Sequence, residues 1–308
     1  MRLPARVEIC EVGPRDGLQH ERVIVPTADK IRLIEALAEA GIRRMEATSF
    51  VAPKWIPNLA DAGEVLAGVR RTQGVSYAAL VPNCKGLERA LAGEVDAAVM
   101  FLSASETHSR KNINKSLAEA LGAYPEVAAG AKAAGLRLKG AISTCFGCPY
   151  EGDVDPGVVV RIATALMDMG VDEVGISDTT GMANPLQVHC LVSQVAERIP
   201  VGKLSLHFHD TRGTALANVL AGLLAGVSVF DASIGGLGGC PYAKGATGNV
   251  ATEDLVHMLH EMGIETGVDL PKLIECARLA QDLVGRPLDS HVSKAGPVNH
   301  ADSGSASS

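Results

Sequence analysis

Leu204-Ser205-Leu206-His207-Phe208-His209-Asp210 is an apolar run that ends in two imidazoles and a carboxylate. Read as a buried strand, its side chains alternate, so His207 and His209 share one face and Phe208 opposes them. On a helix, residues two apart would lie on nearly opposite sides. Two imidazoles on one face can bind one metal ion. The fold then follows from asking which other strands end in the same place.

Outward from this stretch, short apolar runs alternate with longer amphipathic ones. Strands are predicted over residues 7–12, 44–48, 75–80, 97–102, 136–142, 173–177, 204–209 and 227–233. Helices are predicted over 27–40, 58–69, 86–92, 116–134, 156–169, 185–198 and 214–225, with a last pair over 252–262 and 270–283. Eight βα units in 308 residues favour an α/β fold of the closed (β/α)8 TIM-barrel type with extra C-terminal helices. An open doubly wound sheet is the alternative, but no Gly-rich dinucleotide turn follows the first strand. One catalytic barrel domain is expected over 1–285. Residues 286–308 form a tail expected to be partly disordered, because 301–308 are small and polar.

The bulk numbers agree with a globular enzyme. Hydrophobic residues are 47%, charged 20% and aromatic 3%, which describes an Ala, Val and Leu core. A net charge of -7 leaves no basic footprint for nucleic acid. The sequence shows no secretory signal and no long apolar span, so no membrane partner is expected. Seven cysteines at irregular spacing fit a reducing interior better than a disulfide framework. A cytoplasmic location is expected, and a processed mitochondrial matrix protein would read the same way.

In a barrel, chemistry gathers at the C-terminal ends of the strands. Those ends carry Pro14-Arg15-Asp16-Gly17-Leu18-Gln19, then Glu46 with Thr48 and Ser49, then Ser143, Cys145 and Cys148. Ser177-Asp178-Thr179, His207, His209 and Asp210 follow. Read alone, the Arg-Asp turn is a solvated turn and the histidines are a hydrogen-bonded core pair. Glu46 lies in a strand covered on both faces and therefore needs a partner, for which Arg15 is the obvious candidate. Asp16, His207 and His209 offer two neutral nitrogens and one carboxylate, and Asn249 could add a carbonyl oxygen. That N/O set suits a divalent cation such as Mg2+ or Mn2+ and lacks the thiolates of a structural zinc site.

Cys145 and Cys148 form a C-x-x-C pair without the second pair of a zinc ribbon or the context of a redox motif. They read as packing at the mouth, with Cys148 near the site. The run from Ile234 to Gly248 includes Gly236, Gly238, Gly239 and Cys240 and reads as a binding loop that can close over a ligand. No Gly-Lys-Ser/Thr follows, which argues against a phosphate cradle. Cys240 reads as a mobile thiol brought to the site.

A hard cation at a barrel mouth can chelate a hydroxyl and a carbonyl of one substrate. With Arg15 at a developing enolate, this is the layout of a retro-aldol or retro-Claisen cleavage, or of the reverse condensation.

The sequence resembles the 3-hydroxy-3-methylglutaryl-CoA lyase family, a group of metal-dependent barrel lyases. The resemblance is carried by residues 11–19, Ser49-Phe50-Val51 with Pro53-Lys54-Trp55, and Lys111-Asn112-Ile113-Asn114. It is carried further by Gly147-Cys148-Pro149-Tyr150-Glu151-Gly152, His207-Phe208-His209-Asp210-Thr211, the run 235–242 and the run 248–255. The Gly-rich loop with its cysteine is the most specific part. The Arg-Asp turn and the His-x-His strand are shared with isopropylmalate and homocitrate synthases. The resemblance implies a divalent cation, Mg2+ or Mn2+, held by Asp16, His207, His209 and Asn249. It implies Arg15 at the substrate carbonyl, supported by Glu46, with Asp178 and His207 handling protons and Cys240 aiding turnover. Gln19 and Glu253 would support the ligands from behind. Ser49 and Cys148 would lie beside the substrate.

The implied reaction cleaves 3-hydroxy-3-methylglutaryl-CoA to acetyl-CoA and acetoacetate. The expected partner is thus an acyl-CoA, with Arg22, Lys54 and Lys111 as candidates for the CoA moiety, and a homodimer is expected. Two other substrates compete: a bulkier 3-hydroxy-3-alkylglutaryl-CoA, and acetyl-CoA with a 2-oxo acid in a Claisen synthase. Such synthases usually carry an added C-terminal domain.

Overall fold

The computed structural model of the protein describes residues 3–239 and 248–298. Eight parallel strands close into a barrel in sequence order. They are β1 Glu8–Glu11, β2 Arg44–Ser49, β3 Ser76–Leu80, β4 Ala97–Ser103, β5 Arg137–Ser143, β6 Glu173–Asp178, β7 Leu204–Phe208 and β8 Val229–Ala232. Closure is made by β1 against β8, with Glu8 opposite Val229 and Glu11 opposite Ala232.

The helices follow as α1 Thr27–Glu39, α2 Ala62–Gly68, α3 Cys84–Ala92, α4 Glu106–Ile113, α5 Leu117–Ala133, α6 Pro156–Asp168, α7 Pro185–Ala196 and α8 Ala215–Leu224. After β8 come α9 Thr252–Glu261, α10 Leu270–Val284 and the short α11 Val292–Ala295. Local chemistry starts them sharply. Asp155 and Asn184 cap α6 and α7, each followed by Pro at the first helical position. Phe208 and Phe230 are fully buried on the outer face of the sheet, and burial of each contributes about 2–3 kcal/mol. No helix among the described residues is long and apolar enough to cross a membrane.

Three local features differ from the sequence expectation. The helix expected over 58–69 is broken into a single turn at Pro57–Leu59 and α2. The Asn58 carbonyl accepts from Lys30 Nζ at 2.5 Å, and the Asn58 amide donates to the carbonyls of Leu18 and Glu21. Those bonds divert the Asn58 polar groups to tertiary partners. Helix α4 was not expected, because its sequence ETHSRKNI has almost no apolar stripe and buries only His108 and Ser109. It is defined instead by the Ser105 cap at its start and the left-handed Asn114 at its end. Finally, β7 stops at Phe208, and His209 leaves the ladder to bridge Asn249.

The segment after α10 leans on α9. Asp254 accepts from Ser290 Oγ at 2.8 Å and from the backbone N–H groups of His291 and Val292. Arg286 donates two hydrogen bonds to the Glu21 carboxylate, at 2.5 and 3.1 Å. Of the tail expected to be partly disordered, residues 299–308 lie outside the described residues.

Candidate active site

The Arg-Asp stretch is a single buried turn, Gly13–Gly17, at the C-terminal end of β1. Its backbone wraps on the Val12 carbonyl, which accepts from the N–H groups of Arg15, Asp16 and Gly17 at 2.7–3.2 Å. This turn sends Arg15 and Asp16 inward. Arg15 Nε donates to Glu46 Oε2 at 2.7 Å, and Arg15 Nη1 donates to Asp16 Oδ1 at 2.6 Å. Glu46 is 1% exposed, so its expected partner is the one it has.

Across the mouth, the His207 and His209 ring centroids are 5.1 Å apart. His209 Nε2 lies 3.8 Å from Asp16 Oδ2. One ligand atom from each of Asp16, His207 and His209 lies within 4.8 Å of the other two. Asn249 joins them by donating from Nδ2 to Asp16 Oδ2 at 2.8 Å and to the Leu237 carbonyl at 3.0 Å. Its Oδ1 is buried with no hydrogen-bond partner among the described residues. A buried amide oxygen with no donor is costly, and a cation beside Asp16 would satisfy it. The donor set of one carboxylate, two imidazoles and one amide oxygen fits a divalent ion.

The electrostatics agree with that use. Burial alone would raise the Asp16 carboxyl, but the Arg15 guanidinium and the two imidazoles hold it well below the usual carboxylate range. Burial, followed by the neighbouring His207, pushes the His209 imidazole down to about 3, so it is neutral and keeps a lone pair. Burial raises the Asp178 carboxyl, against the N–H groups of Ala183 and Met182 that bond it at 3.0 and 2.9 Å.

Other expected residues take different places. Gln19 Nε2 donates to Asp16 Oδ1 at 3.0 Å, supporting it from behind. Ser49 Oγ accepts from Val51 N–H at 3.2 Å and shapes the turn after β2. Cys148 is packed under Ser105, whose Oγ donates to Sγ at 3.0 Å; Sγ also accepts from the Tyr150 N–H at 3.4 Å, and the Cys148 backbone bridges Gly152. Lys54 and Lys111 sit over the exposed rings of Trp55 and Tyr150, at 5.2 and 3.8 Å from the centroids. Cys240, expected as the loop thiol, lies outside the described residues.

The stem of the Gly-rich loop is held by two buried carboxylates. Glu11 accepts from the N–H groups of Gly13 and Ile234 at 2.7 and 2.9 Å and from Thr252 Oγ1 at 2.6 Å. Glu253 accepts from Gly235 N–H at 2.8 Å and from Ser293 Oγ at 2.7 Å. No cation pairs with either among the described residues, and burial pushes both up to about 7. Within the stem, Gly238 holds φ +124, and a Cβ there would meet Asn249 Nδ2 at 2.5 Å. Gly248 holds φ +113, and a Cβ there would run into the carbonyl oxygens of Gly236 and Gly238, so a side chain at Gly238 would displace Asn249 and one at Gly248 the loop backbone. A Cβ at Gly239 would meet nothing within 4 Å among the described residues.

Five charged strand residues were not anticipated: Glu11, Arg44, Lys139, Glu173 and Asp231. The signal was the one that singled out Glu46, a charge inside a strand buried on both faces.

Known proteins share this architecture. A family model described as HMGL-like matches residues 6–280. A hydroxymethylglutaryl-CoA lyase of Bacillus subtilis is 52% identical over 290 residues, covering 94% of this chain and 97% of that protein. A 3-hydroxy-3-isohexenylglutaryl-CoA/hydroxymethylglutaryl-CoA lyase of Pseudomonas aeruginosa is 47% identical, covering 96% of this chain and 98% of its own. The structure of an HMG-CoA lyase from Acinetobacter baumannii in complex with coenzyme A and 3-methylmalate superposes with a TM-score of 0.93. It is 42% identical and covers 98% of each chain.

Proposed function

The chain belongs to the HMGL-like family, and from that premise we propose that it is a metal-dependent hydroxymethylglutaryl-CoA lyase that cleaves 3-hydroxy-3-methylglutaryl-CoA to acetyl-CoA and acetoacetate. The observation that carries this reading is the approach of Asp16, His207 and His209 to one point, with Arg15 bonded to Asp16 beside it.

Asp16, His207, His209 and the Asn249 amide oxygen would hold the cation, Mg2+ or Mn2+. When bound, it supplies Lewis-acid polarisation of a chelated hydroxyl and carbonyl. The substrate hydroxyl gives up its proton, the bond between C2 and C3 breaks, and C3 becomes the ketone of acetoacetate. The electron pair passes to the thioester side as an enolate, whose carbon takes a proton to give acetyl-CoA. Arg15, fixed by Glu46, stabilises the enolate oxygen, because a preorganised charge needs no rearrangement as the oxyanion forms. Asp178 handles protons beside the ligand His207, and Cys240 is the loop thiol that aids turnover. Gln19 and Glu253 keep Asp16 and the loop stem in place. Ser49, from the turn after β2, and Cys148, from beneath Ser105, would flank the substrate.

Incubation with 3-hydroxy-3-methylglutaryl-CoA and Mg2+ or Mn2+ is expected to yield acetoacetate. No product, together with CoA release from acetyl-CoA and a 2-oxo acid, would replace the lyase with a synthase. The Pseudomonas relative supports a second reading, a lyase for a bulkier 3-hydroxy-3-alkylglutaryl-CoA. Comparing kcat/KM for the methyl and isohexenyl substrates decides between them. A homodimer in the cytoplasm, or in the mitochondrial matrix for a processed chain, completes the proposal, and sedimentation tests the dimer.

A further inference from the structure

Below the mouth, toward the N-terminal ends of the strands, the barrel interior is charged. Lys139 Nζ lies 2.7 and 2.9 Å from the two carboxylate oxygens of Asp231. It also lies 3.6 Å from Glu173 and 3.9 Å from Glu46. Lys139 and Asp231 are 5% and 6% exposed. Buried pairs of this kind are often replaceable by apolar residues without loss of stability, so stability alone does not account for this one. Its contacts offer an account. Asp231 stands opposite His207 in the β7–β8 register, and its Oδ2 is 3.4 Å from His207 Nδ1. On the other side of Lys139, Glu46 grips Arg15. One ammonium thus stands between two carboxylates that lead to two residues of the mouth.

We propose that Asp231, anchored by Lys139, is a positioning residue for His207: it accepts the Nδ1 proton and so fixes the tautomer that presents Nε2 to the cation. The proposal rests on the metal-centre reading of Asp16, His207 and His209. Either nitrogen of a neutral imidazole can carry the proton, and a metal ligand needs the correct one bare. A carboxylate behind a metal-binding histidine settles that choice and the ring orientation. His209 is held by other means. Its Nδ1 is buried without a partner among the described residues, while its backbone N–H bonds the Asp178 carbonyl at 3.1 Å and its strand end bridges Asn249. The two ligands of β7 are therefore oriented differently, one by a side chain and the other by the backbone.

The test has two readouts. Long-range 15N–1H spectra of the metal-free protein report which nitrogen of each imidazole is protonated, with His207 assigned by comparison with His207→Asn. The wild type is expected to show His207 protonated on Nδ1. Asp231→Asn and the charge-neutral pair Lys139→Met with Asp231→Leu are expected to lose that preference. The double variant guards against misfolding from a lone buried ammonium. Mn2+ titration, the second readout, is expected to show affinity falling about 10- to 100-fold in both. kcat should fall while KM for the acyl-CoA holds. Glu173→Gln touches the same Lys139 but no imidazole, and is expected to keep Mn2+ affinity within about twofold, which a merely structural role for the charge cluster would not allow. His207 protonated on Nε2 in the metal-free wild type overturns the proposal. So does Mn2+ affinity unchanged in both Asp231 variants. If the wild type binds no Mn2+, the metal-centre reading fails, and the tautomer of the metal-free protein still decides the role of Asp231.

Discussion

Two groups of buried carboxylates sit within one barrel and are held in opposite ways. In the interior, Asp16, Glu46 and Asp231 each face a cationic side chain, and the Asp16 and Asp231 carboxyls lie well below the usual range. At the stem of the Gly-rich loop, Glu11 and Glu253 accept, among the described residues, only from N–H and hydroxyl groups, and burial pushes both up to about 7. A carboxylate next to a cation stays ionised at any working pH and can hold an ion or orient a ring. A carboxyl held by neutral donors keeps or loses its proton near neutrality. The interior is thus suited to chemistry and the stem to adjustment.

The largest effect expected is removal of the divalent ion, which should abolish acetoacetate formation by the ion-paired group and leave the barrel folded. Its return at about 100 times its Kd should add about 2.7 kcal/mol of stability in a thermal melt. Turnover that survives exhaustive chelation would break the assignment of the interior to metal chemistry. Arg15→Gln comes next. It should cost roughly 10³-fold in kcat with Mn2+ binding retained, as loss of one preorganised donor to a developing oxyanion does. Near-normal turnover would remove Arg15 from the reaction.

The stem is probed by Glu253→Gln. In the wild type, folded Glu253 keeps its proton up to about 7, while the unfolded chain releases it near 4.5. Between those values the unfolded state binds fewer protons, so the contribution of Glu253 to stability falls as pH rises and levels off above about 7. The variant lacks this dependence. The stability of the wild type relative to Glu253→Gln should therefore decline by on the order of 1–3 kcal/mol from pH 5 to pH 7 in urea unfolding. A constant difference would place Glu253 with the ion-paired group. Smallest of all, Ser293→Ala removes one donor to Glu253 and should cost about 1 kcal/mol.

The barrel and the meeting of Asp16, His207 and His209 at its mouth were legible because the strand signals are periodic. His207 and His209 announced a strand, and counting apolar runs placed that strand seventh of eight. Glu46 announced a partner, because a charge between two covered faces must have one. Lys139 and Asp231 carry the same signal, but it points to no partner in sequence. The contact that gives them meaning joins residues 92 apart in the chain. Helix α4 and the break at Asn58 escaped for a different reason. Their structure is set by single capping and tertiary hydrogen bonds, which leave no apolar rhythm to read.

Glu11 also bears on how the protein is made. Its carboxylate takes donors from Ile234 and Thr252, 223 and 241 residues further along. During synthesis the first strand therefore emerges with an acid that has only the Gly13 N–H of its three described donors at hand. A half-built barrel cannot bury it without cost, which disfavours premature collapse of the N-terminal half. The last third of the chain both closes the sheet and supplies the missing donors, so barrel and loop stem are completed in one late event.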